Sequence, residues 1–271
     1  MKVEALTQSN LGKQTQTPTH YDPNVLFAIT RKQQRSTLPH IEQPLVGEDQ
    51  WLCHELSWLD PTNKPQVKMA VITIPCQSSH LVESKSLKLY LNGFNNTIFQ
   101  NQDAVTQAIT KDLSQLCQAD VRVHIHALSF YPASHTKNTI QCMDDLEYQP
   151  TEHPGCTIKG QDNPEKKIFY THLFRSYCPV THQPDWATLV IAYQGYPIDP
   201  KKLLGYLIHF RHHRAFHEHC IEQIFIELYQ AWQPQDLMVK GYFSRRGGIA
   251  IHPMRHTENS QFDMSTINFN R

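Results

Sequence analysis

The chain has 271 residues, enough to bury a core without disulfide or metal staples. Its 25 lysines and arginines balance 25 aspartates and glutamates, which argues against a protein whose main task is to coat nucleic acid or an anionic membrane. No apolar run approaches the roughly 20 residues of a bilayer span, and the opening Met1-Lys2-Val3-Glu4-Ala5 lacks an apolar signal core, so a cytoplasmic location is expected.

Residues 1–50 are polar and read as an extension that packs by local anchors. From Trp51 the pattern becomes regular: Trp51–Trp58 and the β-branched Val67–Ile74 form a strand pair around the turn composition Asp60-Pro61-Thr62-Asn63-Lys64-Pro65. Leu87, Tyr90, Leu91 and Phe94 predict a helix beginning near Glu83, and Val105, Ala108, Ile109, Leu113 and Leu116 predict a second. Asp103 sits in the first turn of the second helix, where the helix dipole favours a carboxylate. Val121, Val123, Ile125 and Ala127 alternate with Arg122, His124 and His126 as a half-buried strand.

Residues 131–165 are rich in proline, glycine and acids, and read as a connection. Then the order of elements repeats. Lys167–Tyr177 is a strand expected to carry Phe169, Thr171, Leu173, Arg175 and Tyr177 on one side, and Trp186–Tyr193 is its hairpin partner. Asp199-Pro200 opens a helix with an N-cap aspartate and proline at the first helical position. Cys220, Ile221, Ile224, Phe225 and Leu228 mark another helix, and Leu237–Phe243 and Ile249–Ile251 read as closing strands. Antiparallel hairpins with grouped helices imply an α+β fold, here with an internal duplication: 51–130 as a first unit and 166–271 as a second.

Seven cysteines without a C-x-x-C pair, odd in number, do not suggest a disulfide framework. Cys178, at a strand end before a turn holding Thr181, His182 and Asp185, is placed for a nucleophile, although from spacing alone a small buried hydrophobe is the commoner use of such a residue. Asp185 alone reads as a turn residue. His212, His213, His217 and His219 crowd one stretch; without an H-E-x-x-H order or a cysteine pair, and with arginines interleaved, no metal site is expected, and His217 reads better as an acid, base or orienter. Glu83 has the chemistry to accept two parallel hydrogen bonds from an amidine-like edge, or simply to open a helix. Arg245-Arg246-Gly247-Gly248 suits a phosphate or a plain hairpin turn, and no G-x-G-x-x-G follows a strand.

Glu55-Leu56-Ser57-Trp58-Leu59, Leu81-Val82-Glu83-Ser84-Lys85-Ser86-Leu87-Lys88-Leu89-Tyr90-Leu91-Asn92, Cys178-Pro179-Val180-Thr181-His182-Gln183-Pro184-Asp185-Trp186, Phe210-Arg211-His212-His213, Phe216-His217-Glu218 and Arg245-Arg246-Gly247-Gly248 together resemble one family. It is the NADPH-dependent 7-cyano-7-deazaguanine reductases of queuosine biosynthesis, in their long, duplicated form; Leu11-Gly12-Lys13 and Tyr21-Asp22 resemble its N-terminus. The resemblance implies a tunnelling fold (T-fold) that assembles as a homo-oligomer, with a homodimer expected. It implies Cys178 as a covalent nucleophile, Asp185 as proton donor and His217 as a proton-transfer or orienting group. Val82, Glu83, Ser84, Phe216, His217 and Glu218 are implied as base contacts, and Ser84, Lys85, Arg246 and Gly247 as NADPH contacts. A zinc cyclohydrolase or a non-catalytic base-binding protein on the same fold are the alternatives that metal analysis and cofactor oxidation separate.

Overall fold

The computed structural model describes residues 17–128, 140–155 and 163–263, together with Ile267 and Phe269. Leu11-Gly12-Lys13, Cys156 and much of the 131–165 connection lie outside the described residues. The chain is an α+β protein that divides into two compact units. The first draws on residues within Met1–Thr37, Glu48–Tyr131 and Arg245–Ile251, and the second on residues within Leu38–Gly47, Pro132–Ser244 and His252–Arg271.

The first unit contains β1 (Ala28–Thr30), α1 (Arg31–Gln34), β2 (Val46–Leu59), β3 (Pro65–Pro75), β4 (His80–Val82), α2 (Ser84–Gly93), α3 (Gln102–Cys117) and β5 (Arg122–His126). β3 lies between β5 and β2, antiparallel to both, and β1 pairs with β4. Trp51, Leu56, Ile72 and Ile74 from the strands and Leu87, Phe94, Ile109 and Leu113 from the helices close the core. Asp103 lies in the first turn of α3 as expected; the cap itself is Asn101, whose Oδ1 accepts from the Ala104 amide at 2.9 Å, and Gln118 ends the helix in a left-handed conformation.

Strand β2 begins at Val46, five residues before the regular pattern at Trp51. Polarity conceals those residues: Asp49 is fully buried, and it is satisfied by the Arg31 guanidinium at 2.6 Å. The N-terminal segment is anchored as expected. Tyr21 packs edge-on against Tyr90, Phe94 and Phe99 and donates its hydroxyl to Asp112 at 2.6 Å.

The second unit contains β6 (Ile140–Cys142), β7 (Glu165–Tyr177), β8 (Pro184–Gly195), α4 (Pro200–His209), α5 (His217–Trp232), β9 (Asp236–Phe243) and β10 (Ile249–His256), the last shared with the first unit in sequence. Its strand order is β6-β7-β8-β9-β10. The 131–165 connection therefore carries one short strand, β6, which runs parallel to β7. Asp199 caps α4 by accepting from the Lys201 amide at 2.9 Å. Phe169, Phe174, Leu189, Ile191, Val239 and Phe243 meet Leu203, Leu207, Ile221, Ile224 and Leu228 of the two helices. Val190, Ala192, Met238 and Tyr242 form a second cluster with Phe262 and Ile267 of the C-terminal tail.

Two expectations are corrected here. β7 does not present Phe169, Thr171, Leu173, Arg175 and Tyr177 on one side: Phe169 and Thr171 are buried, but Phe174 and Ser176 continue the buried face. Thr171 pairs with Leu189 and Phe174 with Ala187, so β7 holds one more residue than its partner, and this bulge turns the following side chains over. A similar step occurs in β2, between the Cys53–Ala70 and Leu56–Lys68 pairs. β10 runs on to His256, well past Ile251. Its buried Arg255 interrupts the apolar pattern, and that charge is neutralised by Glu222.

Candidate active site

In the second unit the candidate residues converge at the turn end of the β7–β8 hairpin. Tyr177 pairs with Pro184 and Ser176 with Asp185, so Cys178 is the first residue of the turn and lies two positions along from the partner of Asp185. The turn is held by its own backbone: the Cys178 amide donates to the Gln183 carbonyl at 2.9 Å, and the His182 amide donates to the Cys178 carbonyl at 3.1 Å. His182 takes a left-handed conformation, φ 56°, a region in which histidine is less rare than most residues. This geometry leaves Cys178 half-buried and brings the Thr181 amide within 3.5 Å of its sulfur. An N–H aimed at sulfur helps to hold the charge that develops when the thiol proton leaves.

The segment before α5 is laid along the end of β7. The Tyr177 amide donates to the His213 carbonyl at 2.8 Å, and the Ala215 amide donates to the Tyr177 carbonyl at 3.2 Å. Two arginines brace this arrangement. Arg175 donates to the Arg211 carbonyl at 3.0 Å, Arg211 donates to the Leu173 carbonyl at 3.2 Å, and both guanidinium groups lie over the Trp186 ring.

Phe216 is thereby the N-cap residue of α5, and His217 and Glu218 occupy its first turn. His217 Nε2 lies 3.4 Å from Asp185 Oδ1. Its ring stacks on Phe243 with centroids 3.9 Å apart and planes at 6°, which fixes its orientation. His217 Nδ1 is buried, with no hydrogen-bond partner among the described residues. Glu218 is buried, and as a carboxylate in a first helical turn it is favoured by the helix dipole.

The neighbouring thiol and imidazole are tuned differently. Burial pushes the Cys220 thiol up to about 12, which keeps it protonated. Burial, aided by the neighbouring His213, brings His219 down to about 4, and burial also lowers His213. No three histidine, cysteine, aspartate or glutamate side chains among the described residues are grouped to hold a metal ion.

The other sequence-predicted residues lie in the first unit. Val82 is buried at the end of β4, and Glu83 follows it as the N-cap of α2. The Glu83 carboxylate accepts from the Lys85 amide at 2.6 Å through one oxygen and from the Ser86 amide at 2.9 Å through the other. Helix capping is therefore what it does in this structure. Oε1 also takes a long contact from the Ser84 hydroxyl at 3.5 Å, so spare acceptor capacity for a ligand edge lies chiefly on Oε2. Ser84 and Lys85 are the first residues of α2 and are half-buried.

Arg246 and Gly247 form the turn between β9 and β10, where Gly247 has φ 54° and Gly248 has φ 79°. A Cβ on Gly247 would lie 3.2 Å from the Lys88 ammonium. Lys88, one turn along α2 from Lys85, is thus a member of this basic group that the sequence reading did not assign. The only signal for it was its place on the Lys85 face of the helix. The Lys88 ammonium lies at Gly247 and the Glu55 carboxylate at Gly248, so this turn holds one group of each sign.

A family model described as "Nitrile reductase, 7-cyano-7-deazaguanine-reductase N-term" matches residues 17–125, and one described as "QueF-like protein" matches residues 184–261. Proteins named "NADPH-dependent 7-cyano-7-deazaguanine reductase" from Acinetobacter baumannii and Desulfotalea psychrophila are 42% and 43% identical to the chain, over 259 and 265 residues. The matches cover 94% and 93% of the chain and 94% of each relative. One of the same name from Acinetobacter baylyi is 42% identical over 260 residues.

Proposed function

The chain belongs to the NADPH-dependent 7-cyano-7-deazaguanine reductase family, and from that premise we propose that it reduces the nitrile of 7-cyano-7-deazaguanine to a primary amine through a covalent bond to Cys178. It is an oxidoreductase of the nitrile reductase type. The observation that carries the chemical reading is the turn at Cys178: a half-buried thiol with an amide donor at its sulfur, in the same unit as a His217–Asp185 pair.

The Cys178 sulfur adds to the nitrile carbon as its S–H proton passes to the His217–Asp185 pair, one C≡N π bond breaks, and nitrogen takes a proton to give a thioimidate. Asp185 supplies that proton, and His217, held by Phe243, orients the group or passes the proton on. Addition converts a poor hydride acceptor into an electrophilic C=N bond. When held by Ser84, Lys85, Arg246 and Gly247, NADPH would supply the hydride for that carbon, and a second molecule would supply the hydride for the imine that follows. Between the two, the carbon–sulfur bond breaks and the thiol is regenerated. The balance is one nitrile, two hydrides and two protons to one aminomethyl group.

Glu83 and Glu218 accept from the ring N–H and exocyclic amine of the base, and Phe216 stacks on it, with Val82 and Ser84 alongside. A buried carboxylate left unpaired is costly, so bases without those donors are rejected. Ser84, Lys85, Arg246 and Gly247 hold the cofactor's phosphates, a reading supported by the Lys88 ammonium that packs against the Gly247 turn. The fold is a tunnelling fold with two tandem units, which needs partner subunits to close its barrel, and the expected assembly is a homodimer.

Incubation with the nitrile base in the absence of reductant, followed by intact-mass measurement, tests the reading. The protein gains the mass of the base, and Cys178→Ala does not. No gain by the wild-type protein, or a gain retained by Cys178→Ala, refutes it; cofactor consumption of two NADPH per base checks the stoichiometry.

A further inference from the structure

Beside the Cys178 turn the second unit holds a cavity of about 410 Å³ lined by Tyr177, His182, His212 and Arg214. The residue chemistry is one-sided. One permanent cation and two imidazoles face the space, with a phenol on the wall, and no carboxylate lines it among the described residues. Arg214 is exposed and makes no ion pair among the described residues. The Tyr177 ring carries the Arg175 guanidinium 4.8 Å from its centroid, which adds positive potential at that wall. The Arg214 guanidinium attracts an anion placed in this space, and the imidazole and phenol groups offer it hydrogen-bond donors.

The backbone fixes the lining residues as well as the charge. His182 is held in its left-handed turn conformation by the bond from its amide to the Cys178 carbonyl. Arg214 bridges Tyr177 in parallel register, and His212 closes the short helical turn Phe210–His212 two residues earlier. The donors are therefore presented by the same turn and the same bridge that position Cys178 and deliver His217.

We infer that this cavity is a phosphate-binding subsite, built by Arg214, His182 and His212 next to the nucleophilic turn. It takes a phosphate monoester or free phosphate. The guanidinium binds two oxygens through its fork, and the imidazoles donate to the others. In the reaction proposed above, the base carries no phosphate and the cofactor carries three, so the inference rests on that reading for its first source, a phosphate of NADPH. Free inorganic phosphate is the second source.

Histidine-detected NMR of the full-length wild-type protein and of Arg214→Ala, titrated with inorganic phosphate, tests the subsite without turnover. Saturable shifts of the His182 and His212 imidazoles that vanish in Arg214→Ala support it. The sources are separated by steady-state kinetics on the same two proteins. A rise of about tenfold in KM for NADPH in Arg214→Ala, the loss of one charge-assisted contact, together with phosphate acting as a competitor of NADPH, assigns the cofactor. An unchanged KM, with phosphate bound but not competing, assigns the free ion. No imidazole shift with phosphate together with an unchanged KM overturns the subsite. Adduct formation by the wild type with the nitrile base is measured in parallel. Its absence counts against the Cys178 chemistry, not the subsite, because the phosphate titration needs no reaction.

Discussion

Replacing Glu222 by glutamine tests how the second unit holds the helix that bears His217 and Glu218. Glu222 lies one turn beyond Glu218 on α5, and its Oε1 accepts from Arg255 Nε at 3.1 Å and from Nη2 at 2.8 Å. Arg255 also donates to the Met254 carbonyl at 2.7 Å. Arg255 is fully buried and Glu222 is 2% exposed, so neither charge is hydrated. Breaking a buried pair by removing one charge costs about 3–5 kcal/mol. Glutamine keeps an amide oxygen that still accepts, so the expected loss lies at the lower end, about 3 kcal/mol. Urea unfolding followed by fluorescence should show that loss in the midpoint. The double variant Glu222→Leu/Arg255→Met should recover most of it, because no buried charge then remains unpaired. A loss below about 1 kcal/mol for Glu222→Gln, the range of an exposed pair, would refute the claim that this pair pins α5.

Four further outcomes follow from the same geometry. Burial depresses His219 to about 4 in the folded chain, whereas the unfolded chain protonates near ~6.5. Stability should therefore fall as pH drops through the window from about 6.5 to about 4, by up to about 3 kcal/mol, and His219→Gln should flatten that limb in urea midpoints measured across it. Cys53, Cys117 and Cys220, each pushed up to about 12 by burial, should resist iodoacetamide at pH ~8 while the half-buried Cys178 reacts; peptide mapping after brief labelling checks this. Phe243→Leu removes the ring stacked 3.9 Å from His217; kcat/KM should fall about tenfold through lost orientation, with a stability loss of about 1–2 kcal/mol in the same preparation. Gly247→Ala forces a left-handed alanine against the Lys88 ammonium and should raise KM for NADPH while the mass adduct at Cys178 still forms without reductant.

The sequence by itself determined the elements whose signals are local. The aspartate that caps α4 announces itself, as does Asp103 in the first turn of α3, and the alternation of β5 and the apolar spacing of the helices follow from the periods of side-chain placement. Local context put Cys178 and His217 forward as candidates against blander readings, and motif resemblance assigned their roles together with that of Asp185. Three-dimensional pairing decided everything that depends on partners far along the chain. The bulge in β7 turns Phe174 and Ser176 inward where a uniform alternation predicts Leu173 and Arg175, because one extra residue against β8 inverts every side chain beyond it. Asp49 and Arg255 sit in strands whose polarity hides them, since burial of a charge is affordable only opposite a partner that sequence distance does not reveal. Lys88 at the Gly247 turn, the Thr181 amide at the Cys178 sulfur, and the cavity of Tyr177, His182, His212 and Arg214 are likewise products of folding. A backbone N–H carries no residue-type signature, and a cluster of charges acquires its chemistry only when tertiary contacts bring its members to one place.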